Sequence, residues 1–299
     1  MGNISLESLL RNAIYYYMSK KGIKLLKKSV SVDGSVKYLW QFHDGAMAES
    51  VFFQHTNVNG TKIRLVCISS QIGCNIGCAF CAVRKIKLKR NLTKEELYSQ
   101  VYEIKKDNDI RTNSLHVTFQ GTGEPLLNYD NVIQAAEMML DDKVAEYISL
   151  STSGIPKYMT KLANTRIKEL FISLHATEDQ TRSRLVPSNR AFNIEKLLSL
   201  AKKHALKTGI PVTASYLLLK DINDTDEDLV RLKQLLDPKY FNIQLACLNH
   251  VDGVEFKSSN RHNYFLNELK KAGFTTYIIA SKGQDVNAGC GQMVSRYQT

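Results

Sequence analysis

The chain has 299 residues, 43% of them hydrophobic, enough for one large core or a core domain with a small appendage. It shows no signal peptide and no apolar run long enough to span a bilayer, so a cytoplasmic protein without a membrane helix is expected. Six cysteines, three of them within eight residues, read as metal or redox chemistry in a reducing compartment and not as a disulfide framework. The net charge of +11, from 40 Lys+Arg against 29 Asp+Glu, suits a polyanionic partner or general solubility.

The first sixty or so residues differ from the rest. Ser5 to Lys20 reads as a helix with an apolar face, ended at Gly22. Its Tyr15-Tyr16-Tyr17 run suits packing more than base stacking. Two short apolar-rich stretches follow, Lys37–Phe42 and Glu49–Gln54, around the turn-like His43-Asp44-Gly45, and Trp40 is expected in the core of this part. Residues 1–60 are therefore expected to form a small accessory domain, and residues 61–299 the main one.

From about Thr61 strands and helices alternate. Candidate strands are Lys62–Ser69, Ser114–Phe119, Tyr147–Ser151, Glu169–His175, Val212–Leu218, Asn242–Leu248 and Thr275–Ala280. Helical patterns cover Lys94–Lys106, Asn131–Leu140, Ile194–Lys207, Glu227–Leu236 and Asn260–Ala272. Thr93 and Glu96 have capping-box spacing, and Gly209 and Gly273 sit where helices should end. Such alternation builds a parallel sheet, open or curled into a barrel, with its reactive groups at the carboxyl ends of the strands.

Cys74-x3-Cys78-x2-Cys81 follows the first of these strands. Iron–sulfur clusters are held by thiolates, and three thiolates leave one iron of a cubane open. An open iron fits S-adenosylmethionine chelated through its amino and carboxylate groups, for reductive cleavage to a 5'-deoxyadenosyl radical. Zinc is the weaker reading, since structural sites want four closed ligands and no fourth Cys or His lies at close spacing. Further polar signatures fall at later strand ends: Gly121-Thr122-Gly123-Glu124-Pro125, Ser151-Thr152-Ser153-Gly154, Ser173-Leu174-His175, and Asn249. Singly these could be turns, caps or a structural histidine; in series they suggest one site, with Glu124 near a methionyl ammonium. Arg84, Lys85, Lys87, Lys89 and Arg90 after the cysteine triplet, and Lys20, Lys21, Lys24, Lys27 and Lys28 earlier, suit an RNA backbone. Cys247, inside an apolar strand, reads as a buried small hydrophobe. Cys67 and Cys290 would reach one rim if the sheet curls, as two unrelated buried cysteines or as a pair for covalent catalysis resolved through a disulfide.

The combination resembles the RlmN/Cfr family of radical-SAM RNA adenosine methyltransferases. The resemblance rests on Cys67-Ile68-Ser69-Ser70-Gln71 leading into the cysteine triplet, Arg90-Asn91-Leu92 and Gly123-Glu124-Pro125-Leu126-Leu127-Asn128. Ser151-Thr152-Ser153-Gly154, Ser173-Leu174-His175 and Cys290-Gly291-Gln292 extend it, so that it runs from about residue 35 to the end. It implies an α/β fold, a partial (β/α)6 barrel with a small N-terminal accessory domain. It implies a 4Fe-4S cluster on Cys74, Cys78 and Cys81, and S-adenosylmethionine, two per turnover, at Gly123, Glu124, Ser151, Ser173, Leu174, His175 and Asn249. Cys290 would become methylated, Cys67 would resolve it as a disulfide, and Glu49 occupies the place of a carboxylate held to be a proton acceptor. The product would be 2-methyladenosine in ribosomal RNA, with transfer RNA as a further candidate substrate. An electron donor such as flavodoxin or ferredoxin, and a monomer, are expected.

The chain departs from the family in places. Only 66 residues precede Cys67, fewer than the family leads one to expect. Gly-Met-Gly-Glu is here Gly121-Thr122-Gly123-Glu124, and Asp-Ala-Ala-Cys is Asn287-Ala288-Gly289-Cys290. A proline-rich loop is replaced by His250-Val251-Asp252-Gly253. These changes could reshape the substrate pocket. Leu88-Lys89-Arg90-Asn91-Leu92-Thr93 is closer to Cfr, which keeps methylation of adenine carbon 8 open as an antibiotic-resistance activity. A divergent radical enzyme acting on a protein or small molecule, and a non-catalytic iron–sulfur or RNA-binding protein, are the other classes.

Overall fold

The computed structural model describes residues 23–56, 62–111, 114–249, 251, 253–279, 282–286, 289 and 292–297. The expected Ser5–Lys20 helix and Cys290 lie outside them. Strands β1 (Ile23–Val30), β2 (Val36–Phe42), β3 (Met47–Thr56) and β4 (Lys62–Ile68) are joined antiparallel in that order. From β4 the same sheet continues in parallel through β7 (Leu115–Phe119), β8 (Tyr147–Thr152), β9 (Glu169–Ser173), β10 (Val212–Leu217), β11 (Phe241–Ala246) and β12 (Thr276–Ile279). Two short strands, β5 (Gln71–Ile72) and β6 (Arg90–Asn91), pair separately.

Helices join the parallel strands: α1 (Lys94–Asp107), α2 (Tyr129–Asp141), α3 (Pro156–Leu162), α4 (Asp179–Leu185), α5 (Ile194–Thr208), α6 (Asp226–Leu235) and α7 (His262–Lys271). A final helix, α8 (Gln292–Tyr297), follows β12. Six strand–helix units therefore stand in the order expected of the partial barrel, and the open sheet ends on a seventh parallel strand. The capping box is present: Glu96 N donates to Thr93 Oγ1 at 3.2 Å and Thr93 N to Glu96 Oε2 at 2.9 Å. Gly209 ends α5 in the left-handed region at φ 72°.

Alternation along each strand decides what faces the site. Val66, Ile68, Val117, Phe119, Ile148, Leu150, Leu170 and Ile172 are buried in one core that includes Leu97, Val101 and Leu197 of the helices. Cys67, Thr118, Ser151, Ser173 and Ser215 occupy the intervening positions, on the opposite face of the sheet. Serine, threonine and cysteine are tolerated there because the helices supply the apolar burial on the other side.

The strands before residue 60 share this sheet and this core: Val36, Tyr38, Trp40, Phe42 and Phe52 are buried with the barrel's own apolar residues. Trp40 stacks on Tyr38 at 5.3 Å and donates to Ser50 Oγ at 3.1 Å. The boundary expected near residue 60 thus falls in the connection between two paired strands, β3 and β4. Sequence patterning did not reveal β1. Ile-Lys-Leu-Leu-Lys-Lys-Ser-Val does not alternate, because β1 is an edge strand exposed along most of its length and carries a bulge between Leu25 and Lys27. Among the described residues no helix is long and apolar enough to cross a membrane.

Candidate active site

The cysteine loop is held at both ends. Gln71 and Ile72 pair with Asn91 and Arg90, and Cys74 N donates to Ile86 O at 3.1 Å. Gly73 has φ 81°, and a Cβ there would stand 2.2 Å from Lys87 O, so only glycine permits the turn. Ile76, Cys78 and Phe80 pack on Leu185, Val186, Leu217 and Leu219, which seats the loop over the ends of α4 and β10. Cys74, Cys78 and Cys81 line one cavity of about 290 Å³. Burial pushes the Cys78 thiol well up, and Cys81, Cys74 and Glu124 add to that, as expected of thiols gathered at one place. No three Cys, His, Asp or Glu side chains among the described residues converge closely enough to share a single metal ion. Around a cubane each thiolate meets a different iron, so the three sulfurs need not converge on one point.

Glu124 faces the same cavity and is fully buried behind it. Its Oε1 accepts from Thr152 Oγ1 at 2.6 Å and Leu126 N at 3.0 Å. Its Oε2 accepts from Ser153 N at 2.7 Å and Ser153 Oγ at 2.9 Å. All four donors are neutral, and among the described residues no Lys, Arg or His forms an ion pair with it. Burial therefore raises its pKa in spite of them. Such a carboxylate is matched to a cation that arrives with a ligand, as an aminoacyl ammonium would.

Arg182 is the converse. It is 0% exposed and donates from Nε to Leu174 O, from Nη1 to Asn189 Oδ1, and from Nη2 to Ser153 O and Ser173 O. No carboxylate among the described residues forms an ion pair with it. Burial lowers its pKa to about 10, opposed by the nearby Cys78 thiol and Asp179. A guanidinium buried near the Cys78 thiol is compensated once that thiol is a thiolate on a cluster.

His175 sits at φ 54° at the end of β9, an uncommon conformation fixed by Asn223 Nδ2 donating to its carbonyl at 2.8 Å. Its Nδ1 accepts from Leu217 N at 3.0 Å, and burial lowers its pKa to about 3. The ring is neutral, with its proton on Nε2. Phe80 of the cysteine loop meets it edge-on at 5.0 Å. Asn249 Oδ1 is buried without a hydrogen-bond partner in the same cavity wall, a further vacancy for a donor on a ligand.

Of the residues expected at the site, Cys74, Cys78, Cys81, Gly123, Glu124, Ser151, Ser173, His175 and Asn249 all line this cavity. Leu174 lies behind it, wholly buried. Cys67 is 7% exposed and packs with Val51, Phe53 and Val286, four residues before Cys290. Gly289 and Gln292, on either side of Cys290 and Gly291, line the cavity. A Cβ on Gly289 would lie 2.7 Å from Gln292 Oε1 and 3.0 Å from Asn249 Nδ2. Glu49 is outside the cavity wall and is ion-paired with Lys37 at 2.6 Å.

Among the lining residues that escaped sequence reasoning are Ser215, Leu217 and Gln244. Cys247 is half-buried at the cavity, a correction to its reading as a core hydrophobe. Arg182 escaped as well, since a helix reading Asp-Gln-Thr-Arg-Ser-Arg looks solvent-facing throughout. The basic run divides: Lys85, Lys87 and Lys89 are exposed, whereas Arg90 bonds to Asp44 at 2.6 Å and to Glu96 at 2.7 and 2.9 Å.

The model of the Radical SAM superfamily matches residues 68–232. A dual-specificity RNA methyltransferase RlmN of Sulfurovum sp. is 36% identical over 287 residues, covering 91% of this chain and 80% of that one. A probable dual-specificity RNA methyltransferase RlmN of Dictyoglomus turgidum is 36% identical over 302 residues, covering 98% and 85%. The crystal structure of a radical SAM methyltransferase from Sphaerobacter thermophilus superposes with a TM-score of 0.85 at 29% identity, covering 95% of this chain and 84% of that one. Superfamily membership implies a 4Fe-4S cluster and S-adenosylmethionine, and the thiols, the unpaired Glu124 and the unpaired Arg182 fit both. The chain belongs to the Radical SAM superfamily and, within it, to the RlmN family.

Proposed function

We propose that this chain methylates carbon 2 of an adenosine in ribosomal RNA, and also in transfer RNA, by way of a methylated Cys290. The observation that carries the reading is that Gly289 and Gln292 line the cavity shared by the three thiols and Glu124. A reactive thiol in that segment fits methyl transfer better than hydrogen abstraction alone. The relatives named above are RNA methyltransferases, and the exposed Lys85, Lys87 and Lys89 beside the cysteine loop suit a phosphate backbone.

Cys74, Cys78 and Cys81 would hold the cluster, with Arg182 balancing its charge. Gly123, Glu124, Ser151, Ser173, Leu174, His175 and Asn249 would form the S-adenosylmethionine site, Glu124 meeting the ammonium. Bound there, two S-adenosylmethionine molecules per turnover would supply the methyl group and, with the cluster's electron, a hydrogen-abstracting radical. Cys290 takes the methyl group on sulfur, since an adenine ring carbon is too weak a nucleophile to take it directly. Once the radical has taken a hydrogen atom from it, the methyl carbon would bond to the ring and link protein to RNA; the ring carbon would then give up its proton, and the one surplus electron would pass back to the cluster. Attack by the Cys67 thiolate on the Cys290 sulfur forms the S–S bond and breaks the sulfur–carbon bond. The electron pair stays on carbon, which takes up a proton and becomes the methyl of the product. Packing of Cys67 against Val286 supports its pairing with Cys290.

The test is mass spectrometry of nucleosides from ribosomal and transfer RNA, analysed separately, in cells lacking their own adenosine-methylating homologue. The intact chain should produce 2-methyladenosine and Cys290→Ala should not. An 8-methyladenosine peak would replace carbon 2 by carbon 8. No new methylated nucleoside from a soluble, cluster-loaded protein would transfer the chemistry to a protein or small-molecule substrate.

A further inference from the structure

Lys37 on β2 and Glu49 on β3 are diagonal neighbours, two register positions apart, and both are removed from water, with side-chain exposures of 0% and 2%. Their contacts reach far beyond the two strands. Lys37 Nζ donates to Glu49 Oε1 at 2.6 Å and to Gly289 O at 3.1 Å. Glu49 Oε2 accepts from Met293 N at 3.1 Å and Val294 N at 3.0 Å. Met293 and Val294 are themselves buried against Leu39, with Met47 and Ile86 alongside. One ion pair thus grips the backbone on both sides of Cys290: the residue immediately before it and the first turn of α8 after it.

We infer that Lys37 and Glu49 are positioning residues that hold the segment carrying Cys290, and that Glu49 serves this reaction as an anchor and not as its proton acceptor. The inference rests on the methyl-thiol reading above. A proton acceptor must reach the ring carbon that loses its proton. Glu49 lies outside the wall of the cavity and spends one oxygen on an ammonium and the other on two backbone amides. A buried pair of this kind contributes little net stability but is costly to break from one side, because the surviving charge has no water to turn to. The geometry therefore ties the placement of the C-terminal segment to the presence of both charges, or of neither.

Three full-length, cluster-loaded variants test this: Lys37→Met, Glu49→Gln and the double variant. Hydrogen–deuterium exchange without RNA reads the amides of Met293 and Val294. Each single variant should accelerate their exchange by at least about tenfold, and the double variant should recover most of the protection. Intact mass, which shows methyl gain on Cys290, should follow the same order. A denaturing gel after addition of RNA should reveal no build-up of covalent protein–RNA adduct in any of the three. Unchanged exchange in both single variants would overturn the clamp. So would wild-type methylation of Cys290 in Glu49→Gln with an adduct that accumulates and persists in the double variant, which marks a missing proton acceptor. If the wild-type protein never gains a methyl group on Cys290, the methyl-thiol reading fails, and the exchange rates still decide the clamp.

Discussion

Two carboxylates, Glu49 and Glu124, are buried in this molecule, and they are neutralised in opposite ways. Glu49 carries its cation within the chain, as Lys37 at 2.6 Å. Glu124 is surrounded by two hydroxyls and two amides and by no cation among the described residues. The first arrangement is complete without a ligand and fixes the backbone. The second leaves a charge unbalanced, and that imbalance is what a ligand's ammonium can exploit. One fixes a segment in place, and the other is suited to bind a ligand.

The largest effect should come from breaking the complete pair. Lys37→Met should lower unfolding free energy by about 3–5 kcal/mol in urea titration, because it strands Glu49 in the interior. A change below about 1 kcal/mol would mean that water reaches the site.

The second test is pH. His175 is neutral in the folded protein, with a pKa near 3, and would regain 6.5 on unfolding. The unfolded chain then binds the extra proton, so stability is lost as pH falls from 6.5 towards 3, by a few kcal/mol. His175→Asn, which tolerates φ 54°, should flatten that slope. Glu124 has the opposite sign: its raised pKa makes the folded state the better proton binder above 4.5, and stability is lost as pH rises through that region. Glu124→Gln should remove this second slope and leave the first.

Glu124→Gln also separates the two roles. In the absence of ligand it should match or exceed wild-type stability, since a buried charge has gone. S-adenosylmethionine should then bind about 100-fold more weakly to the cluster-loaded protein in calorimetry. If this variant instead unfolds as readily as Lys37→Met, the distinction between the two carboxylates is wrong. The smallest effect belongs to Thr152→Val, which deletes one 2.6 Å bond to Glu124. It should weaken the same binding by about 1.5 kcal/mol.

The pocket was more legible in the sequence than the clamp, for a physical reason. Parallel strands each deliver their last residues to one rim, so short polar motifs at predicted strand ends (Gly123-Glu124, Ser173-Leu174-His175, Asn249) could be placed together without knowing the packing. The capping residues Thr93 and Glu96 were equally local. Lys37 had no such signal. In Val-Lys-Tyr-Leu-Trp it occupies a position that alternation assigns to solvent, and only the arrival of Gly289 and α8 covers it. Arg182 was hidden for the same reason: what buries it belongs to the ends of β8 and β9, about 30 residues upstream at Ser153 and nearer at Ser173. Long-range burial of a charged side chain leaves no trace in the residues beside it.

The clamp joins stretches of chain 244 to 252 residues apart. At ribosomal rates of roughly 5–20 residues per second, Lys37 and Glu49 are made on the order of 10–50 s before the segment they grip. The three cluster cysteines are also made in the early part of that interval. If Cys290 carries the methyl group as proposed, the order of synthesis puts the three cluster ligands in the chain before that thiol exists to compete for iron or to be oxidised. Chain order would then act as a safety catch, with the site armed last.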